Sequence, residues 1–142
     1  EHLAELRAGF VCRSGHPLMA RAALAVSFGD LLRYPLASTP LSDEVARIMV
    51  RHFGPRADPQ QAVSLRCEDV TSLIETVKAS DAIFLGVIAA ARAEIAAGEL
   101  AELITTPPFL SGARFAFVTL AGRTEAPSMG IFRQFVAERL RD

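Results

Sequence analysis

The 142-residue sequence predicts an α/β domain in which helices flank a mostly parallel sheet. Short apolar segments typical of strands alternate with segments of about ten residues whose apolar positions repeat at helical spacing. Glycine, proline and serine separate the two kinds of segment, as they do in connecting loops. Because a helical crossover lies between successive strands, those strands are expected to run in the same direction.

The first third of the chain predicts two strands and a helix. Residues 10–12 are apolar and lead into the turn Ser-Gly-His-Pro-Leu at residues 14–18, and residues 36–38 form the second strand. The loop at residues 40–42 then opens the helix. The apolar stripe of this helix consists of Val45, Ile48, Met49 and Phe53, and Gly54-Pro55 ends it.

The middle of the chain changes its periodicity from that of a strand to that of a helix. Val63, Leu65 and Cys67 alternate with polar residues, which is the pattern of a half-buried strand. Asp69 is a suitable N-cap for a helix that ends near Ala79, with apolar positions at Val70, Leu73, Ile74 and Val77. The apolar run at residues 82–87 then predicts a strand covered on both faces.

The last third predicts an alanine-rich helix at residues 88–97, with Gly98 as its C-terminal cap. Residues 100–105 and 115–118 predict two further strands. Ser128 is the expected N-cap of a final helix. The buried side of this helix would carry Phe132, Phe135, Val136 and Leu140.

The composition excludes several classes of protein. With 15 basic and 16 acidic residues the net charge is −1, which provides no electrostatic surface for nucleic acid. The longest apolar stretch, residues 82–91, is well short of the ~20 residues that span a bilayer, so no membrane segment is expected. The first residues lack the basic and apolar regions of a secretory signal, and a cytoplasmic location is the expectation.

The residues that could carry chemistry do not form a catalytic pattern. Cys12 and Cys67 lie in apolar, strand-like surroundings, and the three histidines, at positions 2, 16 and 52, have no metal-ligand spacing. A nucleophilic Cys12 with His16 as its base would need an orienting carboxylate and an oxyanion hole that the sequence does not indicate. Dinucleotide, Walker and hydrolase motifs are also missing, so no enzyme, cofactor or metal is expected.

Ser38, Thr39 and Pro40 form the candidate binding segment. They lie after a predicted strand and before a predicted helix, which is the crevice position where open α/β sheets bind ligands. Two hydroxyls and the main-chain N–H groups of a helix start could orient a small polar or anionic molecule. A serine- and threonine-rich turn without any ligand explains the same residues, and this alternative stays open.

Residues 10–39, FVCRSGHPLMARAALAVSFGDLLRYPLAST, resemble the effector-binding domain of LysR-type transcriptional regulators. In that family a strand ending in His-Pro-Leu is followed by a leucine-bearing helical turn and a Tyr-Pro-Leu strand. Residues 73–85, Gly98-Glu99-Leu100 and the final helix resemble later family segments in order and spacing. One departure lies at Ser80 and Ala82, where many members of the family have glycines.

The resemblance implies a two-lobed, periplasmic-binding-protein-like fold (type 2) built from Rossmann-like lobes. Residues 1–12 would end the first lobe's opening segment, with the outgoing hinge at Cys12 and Arg13. Residues 13–107 would form the second, effector-binding lobe, and residues 108–142 would return to an incomplete first lobe. The strand near Phe115 and the helix near Phe132 would then pack on the second lobe, pair with another copy, or be poorly ordered.

The resemblance also implies a function without catalysis. A small-molecule effector would bind between the lobes and change the geometry of a homodimer or homotetramer, and DNA would be bound only by an N-terminal helix-turn-helix outside this sequence. Ser38, Thr39 and Pro40 would form one wall of the site, and Phe84, Leu85 and Gly86 a second. The alternatives are a solute-binding protein of a transporter, which shares the architecture, and a small hydrolase that uses Cys12 or Ser38.

Overall fold

A computed structural model describes residues 2–21 and 25–140 of the chain. The outer ends of the predicted segments 1–12 and 108–142 lie outside the described residues. The strands are β1 (His2–Arg13), β2 (Val26–Ser27), β3 (Leu36–Ser38), β4 (Val63–Arg66), β5 (Ile83–Val87), β6 (Leu100–Leu103), β7 (Thr105–Thr106) and β8 (Gly112–Ala116). The α-helices are α1 (Phe28–Leu31), α2 (Asp43–Phe53), α3 (Pro59–Ala62), α4 (Val70–Lys78), α5 (Arg92–Ala96) and α6 (Pro127–Arg139). Single turns of 3₁₀ helix cover Pro17–Arg21, Pro55–Ala57 and Ile88–Ala91.

The main sheet has the strand order β4-β3-β5-β1-β6. β3 is parallel to both β4 and β5, whereas β1 is antiparallel to β5 and to β6. β6 therefore runs in the same direction as β3, β4 and β5, and β1 alone opposes them within this order. The predicted α/β class, with a mainly parallel sheet flanked by helices, is confirmed.

Two apolar clusters cover the two faces of the sheet. On one face, Phe10 of β1 and Leu85 of β5 pack with Met49 of α2. On the other face, Val11 and Phe84 pack with three residues of α4, namely Leu73, Ile74 and Val77. Successive residues in the second half of β1 and in β5 are thus buried on opposite faces, which explains why residues 8–12 and β5 have continuous apolar sequences.

The ends of α2 and α4 follow the predicted capping pattern. Ser42 Oγ accepts a hydrogen bond from the N–H of Val45 at 3.3 Å, and Asp69 accepts one from Thr71 at 3.1 Å. Hydrogen bonds from Ser72 and the first-turn amides lower the pKa of Asp69. α2 ends at Gly54, whose φ of 93° is available to glycine at little cost.

Three predicted boundaries are wrong. Residues 88–97 form a 3₁₀ turn at Ile88–Ala91 followed by the short helix α5, instead of one α-helix. The strand predicted at residues 100–105 ends at Leu103, and Thr105–Thr106 pairs separately with β2. The cap of α6 is Ala126 and not Ser128, because Pro127 occupies the first helical turn, where its missing N–H costs nothing.

The region after Thr106 adds to the sheet through β1. β8 pairs antiparallel with the first half of β1, from His2 to Arg7. Phe117 lies against Phe132 of α6 with ring centroids 5.8 Å apart, and α6 buries none of its side chains. The strand predicted at residues 115–118 overlaps β8 only in part, because β8 begins at Gly112 and ends at Ala116, and Phe117 and Val118 follow it.

Candidate functional site

The C-terminal ends of β3, β4 and β5 meet at one edge of the main sheet. These strands end at Ser38, Arg66 and Val87, and the chain turns there into loops and helices. Ligands of open α/β sheets bind outside this edge, because the helix starts and loop side chains converge there. The predicted segment at residues 38–40 lies at this edge, between the end of β3 and the start of α2.

Ser38 connects the two predicted walls of the site. Its side chain is fully buried, and its hydroxyl donates a hydrogen bond to the carbonyl oxygen of Leu85 at 2.8 Å. The neighbouring residues Ala37 and Phe84 are partners in the pairing of β3 with β5. The hydroxyl proton of Ser38 is thus used within the sheet, which gives this residue a structural role. Its role in ligand binding stays a prediction.

Thr39 and Pro40 line a cavity of about 160 Å³, hereafter the corner cavity. Residues from other parts of the chain complete the cavity: Leu41, Pro59, Gln60, Val63 and Arg66. One guanidinium nitrogen of Arg66, Nη2, donates to the carbonyl oxygens of Pro59 and Gln60, each at 2.9 Å. The side chain is therefore held beside Thr39, and no carboxylate among residues 2–21 and 25–140 pairs with it.

Sequence reasoning missed Arg66 and Gln60. Arg66 is the last residue of β4, the strand next to β3, and its Cα partner in the pairing is Ser38. The predicted strand ends alone could have suggested it, because side chains at the C-terminal ends of adjacent parallel strands meet at one edge. Gln60 lies on α3, a helix too short for its periodicity to be recognised in the sequence.

The second predicted wall contains two core residues and one glycine. Phe84 and Leu85 are almost fully buried on opposite faces of the sheet. Gly86 is half-buried and lies opposite Gly9 in the pairing of β1 with β5. Of these residues, Gly86 lies nearest the edge, and the role of all three in ligand binding stays a prediction.

Cys12 and Arg13 lie at the other edge of the sheet. Arg13 is opposite Leu100, the first residue of β6, and its guanidinium pairs with the Asp81 carboxylate through Nη2 at 2.6 Å. Cys12 is fully buried, and burial raises the pKa of its thiol to about 12. A thiol with this pKa is protonated at neutral pH and is inert as a nucleophile, so Cys12 is unsuited to catalysis.

β1 changes its strand partners between Arg7 and Ala8. Residues up to Arg7 pair with β8, and residues from Ala8 onward pair with β5 and then β6. At the change, the N–H of Ala8 donates to the carbonyl of Ser111 at 2.8 Å. Arg7 also forms two hydrogen bonds to the Glu102 carboxylate on β6, at 2.8 and 3.2 Å.

Neither a metal centre nor a membrane helix is found in the described part of the chain. Residues 2–21 and 25–140 hold no group of three or more histidine, cysteine, aspartate or glutamate residues that could bind a metal ion. Within the same residues, no helix is long and apolar enough to cross a membrane.

The sequence matches one protein family over almost its whole length. The model of that family, the LysR substrate binding domain, matches residues 1–141. The SDS degradation transcriptional activation protein of Pseudomonas sp. (strain ATCC 19151) is 33% identical over 128 residues. These residues cover 89% of this chain and 40% of that protein.

Solved structures of low sequence identity share the fold. The effector domain of AmpR from Pseudomonas aeruginosa has a TM-score of 0.64 at 19% identity and covers 99% of this chain and 64% of its own. The AmpR effector binding domain from Citrobacter freundii has a TM-score of 0.66 at 15% identity, with coverages of 99% and 66%. The regulatory domain of MetR, a LysR family regulator from N. meningitidis, has a TM-score of 0.64 at 18% identity, with coverages of 98% and 62%.

These matches identify the family and show what share of each longer protein this chain covers. The chain spans 40% of the curated relative and less than two thirds of the three structures. The family match and the shared periplasmic-binding-protein-like fold lead to the same assignment. The chain belongs to the LysR substrate binding domain family, a family of transcription regulators rather than enzymes.

Proposed function

We propose that this chain is the effector-sensing part of a DNA-binding transcription regulator that works in the cytoplasm. A small molecule would bind at the corner cavity, between the main sheet and a second lobe, and would favour one arrangement of the lobes. It can do so only if its affinity differs between the two arrangements. The 33% identity to a transcriptional activation protein supports a role in transcription over the alternative of a transporter's solute-binding protein.

The observation that carries this proposal is the position of Arg66. Its guanidinium is fixed by two carbonyl oxygens beside Thr39, and within the described part of the chain the remaining N–H groups have no carboxylate partner. A fixed arginine with free donors is suited to a carboxylate, sulfate or phosphate group. We therefore expect an effector with an anionic group that Arg66 and the Thr39 hydroxyl contact.

The proposed hinge lies at Arg7–Ala8 on the outgoing strand and near Ser111 on the returning one. Here β1 exchanges β8 for β5, so a small change in backbone angles would rotate one set of strands against the other. This position is four to five residues before Cys12, the first of the two predicted hinge residues Cys12 and Arg13, and both of these pair with β6 in the main sheet. The effector-binding lobe would then extend from residue 8 to about residue 110.

The remaining segments would belong to the other lobe. α6 and the loops beside β8 expose large apolar side chains, namely Ile131 on the helix and Leu110, Val118 and Leu120 in the loops. The longer relatives contain further sequence that could cover them. We also propose that the regulator forms a homodimer or homotetramer and contacts DNA through an N-terminal helix-turn-helix.

A binding screen with the intact protein tests the proposed site. Small organic carboxylates, sulfates and phosphates are compared by thermal shift, and the compound that stabilises most is then titrated by calorimetry. We expect Arg66→Ala to weaken its binding about tenfold or more, since charge-assisted hydrogen bonds contribute ~1.5–3 kcal/mol. Thr39→Val is expected to weaken binding less, because it removes one hydrogen bond from an uncharged donor, whereas Arg66→Ala also removes a positive charge.

Arg56→Ala is the matched control, since Arg56 is an exposed arginine of the same loop region that does not line the corner cavity. Its binding constant should equal that of the unchanged protein. If the best ligand binds equally well to all three variants, the corner cavity is not the effector site.

A further inference from the structure

We propose a second ligand site, separate from the corner cavity, for a small anion with an apolar body. The site is a cavity of about 290 Å³ between β1, β6 and α5, hereafter the β6 cavity. It lies at the β6 end of the sheet, whereas the corner cavity lies beside β3 and β4. Of the residues that the structure describes, none lines both cavities.

Apolar side chains form the floor of the β6 cavity. Ile88 belongs to the buried cluster that covers the α4 face of the sheet, the partly buried Ile95 packs against this cluster, and Ala89 and Ala96 complete the floor. A Cβ atom on Gly9 would lie 2.9 Å from Cδ1 of Ile88, so the glycine allows Ile88 to lie close against β1. The floor is thus a continuation of the core, and it suits a short hydrocarbon chain or a ring.

Charged side chains stand on the rim of the β6 cavity. Arg7 and Arg92 contribute two positive charges, and Glu102 contributes one negative charge. Both carboxylate oxygens of Glu102 accept hydrogen bonds from Arg7. Arg92 is exposed and has no carboxylate partner among the described residues, so the rim has a net charge of +1 and one arginine available to a ligand.

The combination of floor and rim defines the chemical class of the ligand. A volume of about 290 Å³ is close to the ~300 Å³ at which small-molecule sites begin, so the ligand is a short amphiphile. Its anionic head, a carboxylate or a sulfate, would pair with Arg92, and its hydrocarbon part would cover Ile88 and Ile95. A neutral or cationic molecule of the same size would lack the pairing with Arg92.

Calorimetric titration of the intact protein with hexyl sulfate, below the concentration at which it forms micelles, tests the β6 cavity. We expect saturable binding that hexanol and hexylammonium do not reproduce. Arg92→Glu should weaken the binding about tenfold or more through loss of a charge-assisted pair. Ala96→Phe, which fills the cavity without changing its charge, should weaken it as well, and Arg56→Glu should leave it unchanged.

Variants of the corner cavity separate this proposal from the proposed function. Thr39→Val and Arg66→Ala should not change the affinity for hexyl sulfate. If the two corner variants weaken binding and Arg92→Glu does not, hexyl sulfate binds at the corner cavity. The β6 cavity is then not a ligand site, and the proposed function is unaffected. The proposal is also overturned if no saturable binding is seen, if both sets of variants weaken binding equally, or if Ala96→Phe leaves it unchanged.

Discussion

His16 joins two turns at the edge of the sheet opposite the corner cavity. Its Nδ1 atom accepts a hydrogen bond from the N–H of Leu18 at 3.0 Å, so the ring proton lies on Nε2. Nε2 then donates to the carbonyl oxygen of Asp81 at 2.9 Å, and the ring packs edge-on against Tyr34. Both nitrogens of this buried ring form hydrogen bonds within the protein. The histidine of the Ser-Gly-His-Pro-Leu turn therefore has a structural role, and neither nitrogen is available to act as a catalytic base.

The buried Cys12 thiol makes the stability of the protein depend on alkaline pH. Burial raises the pKa of the thiol from 9.0 to about 12, against a smaller opposing effect of Arg13. The unfolded chain loses this proton near pH 9, whereas the folded chain keeps it until about pH 12. Ionisation of this thiol therefore leaves the free energy of unfolding unchanged below pH 9. As the pH rises from 9 to about 12, the free energy of unfolding falls by up to about 1.4 kcal/mol per pH unit.

Urea unfolding of the unchanged protein and of Cys12→Ala over this pH range measures the effect. The difference between their free energies of unfolding should shrink with rising pH, because the variant lacks the titrating thiol. Cys67→Ala, which changes the half-buried cysteine at the end of β4, should keep the slope of the unchanged protein. Parallel curves for the unchanged protein and Cys12→Ala would contradict the expectation.

At the scale of elements, Gly9 and Gly86 control how closely β1 and β5 are packed near the edge of the sheet. The two glycines are Cα partners, and both lack a side chain on the α4 face. A Cβ atom on Gly86 would lie 2.5 Å from the ring of Phe84, which is 2% exposed and has little space to move. The ring folds over the glycine and fills the space that a side chain would occupy.

Gly86→Ala is therefore expected to lower the free energy of unfolding by about 1–3 kcal/mol, the usual cost of overfilling a packed core. Gly130→Ala is the matched control, because a Cβ atom there meets nothing within 4 Å and the residue lies inside α6. Its free energy of unfolding should stay the same or rise by up to about 1 kcal/mol. Equal losses in the two variants would show that glycine is not needed at position 86 for packing.

The sequence predicts correctly those strands whose burial pattern stays the same from end to end. β3, β4 and β5 lie within one residue of the predicted segments, because apolar runs and alternation directly reflect burial. β1 is predicted only at residues 10–12, since its first half carries Glu5 and Arg7 and pairs with β8 outside the core. Its antiparallel direction has no signature in a strand that is buried on both faces.

The candidate site shows the same limit. Thr39 and Pro40 line the corner cavity, and a strand followed by a helix start was enough to single them out. Arg66 and Gln60 are 26 and 20 residues further along the chain from Pro40, and only the pairing of β3 with β4 brings them close. Such residues depend on strand register, which a single sequence does not specify.

At the scale of the whole molecule, the described chain has a well-packed main sheet and an apolar outer surface around β8 and α6. Val118, in the loop after β8, is 93% exposed. Ile131 is 75% exposed and Phe135 is half exposed, and the two lie four residues apart on one face of α6. Exposed apolar patches of this kind promote association with another surface. In the proposed regulator the other lobe would cover this surface. In the 142-residue chain its apolar side chains are exposed to solvent.

We therefore expect the 142-residue chain to self-associate through this surface as its concentration rises. The double variant Val118→Lys, Ile131→Lys should remain monomeric over the same range, because charged groups on the patch oppose its burial. Sedimentation velocity at several concentrations measures this directly. Gln134→Lys adds charge to α6 at an exposed polar position and should associate as the unchanged chain does. Association that persists in the double variant would place the contact elsewhere on the molecule.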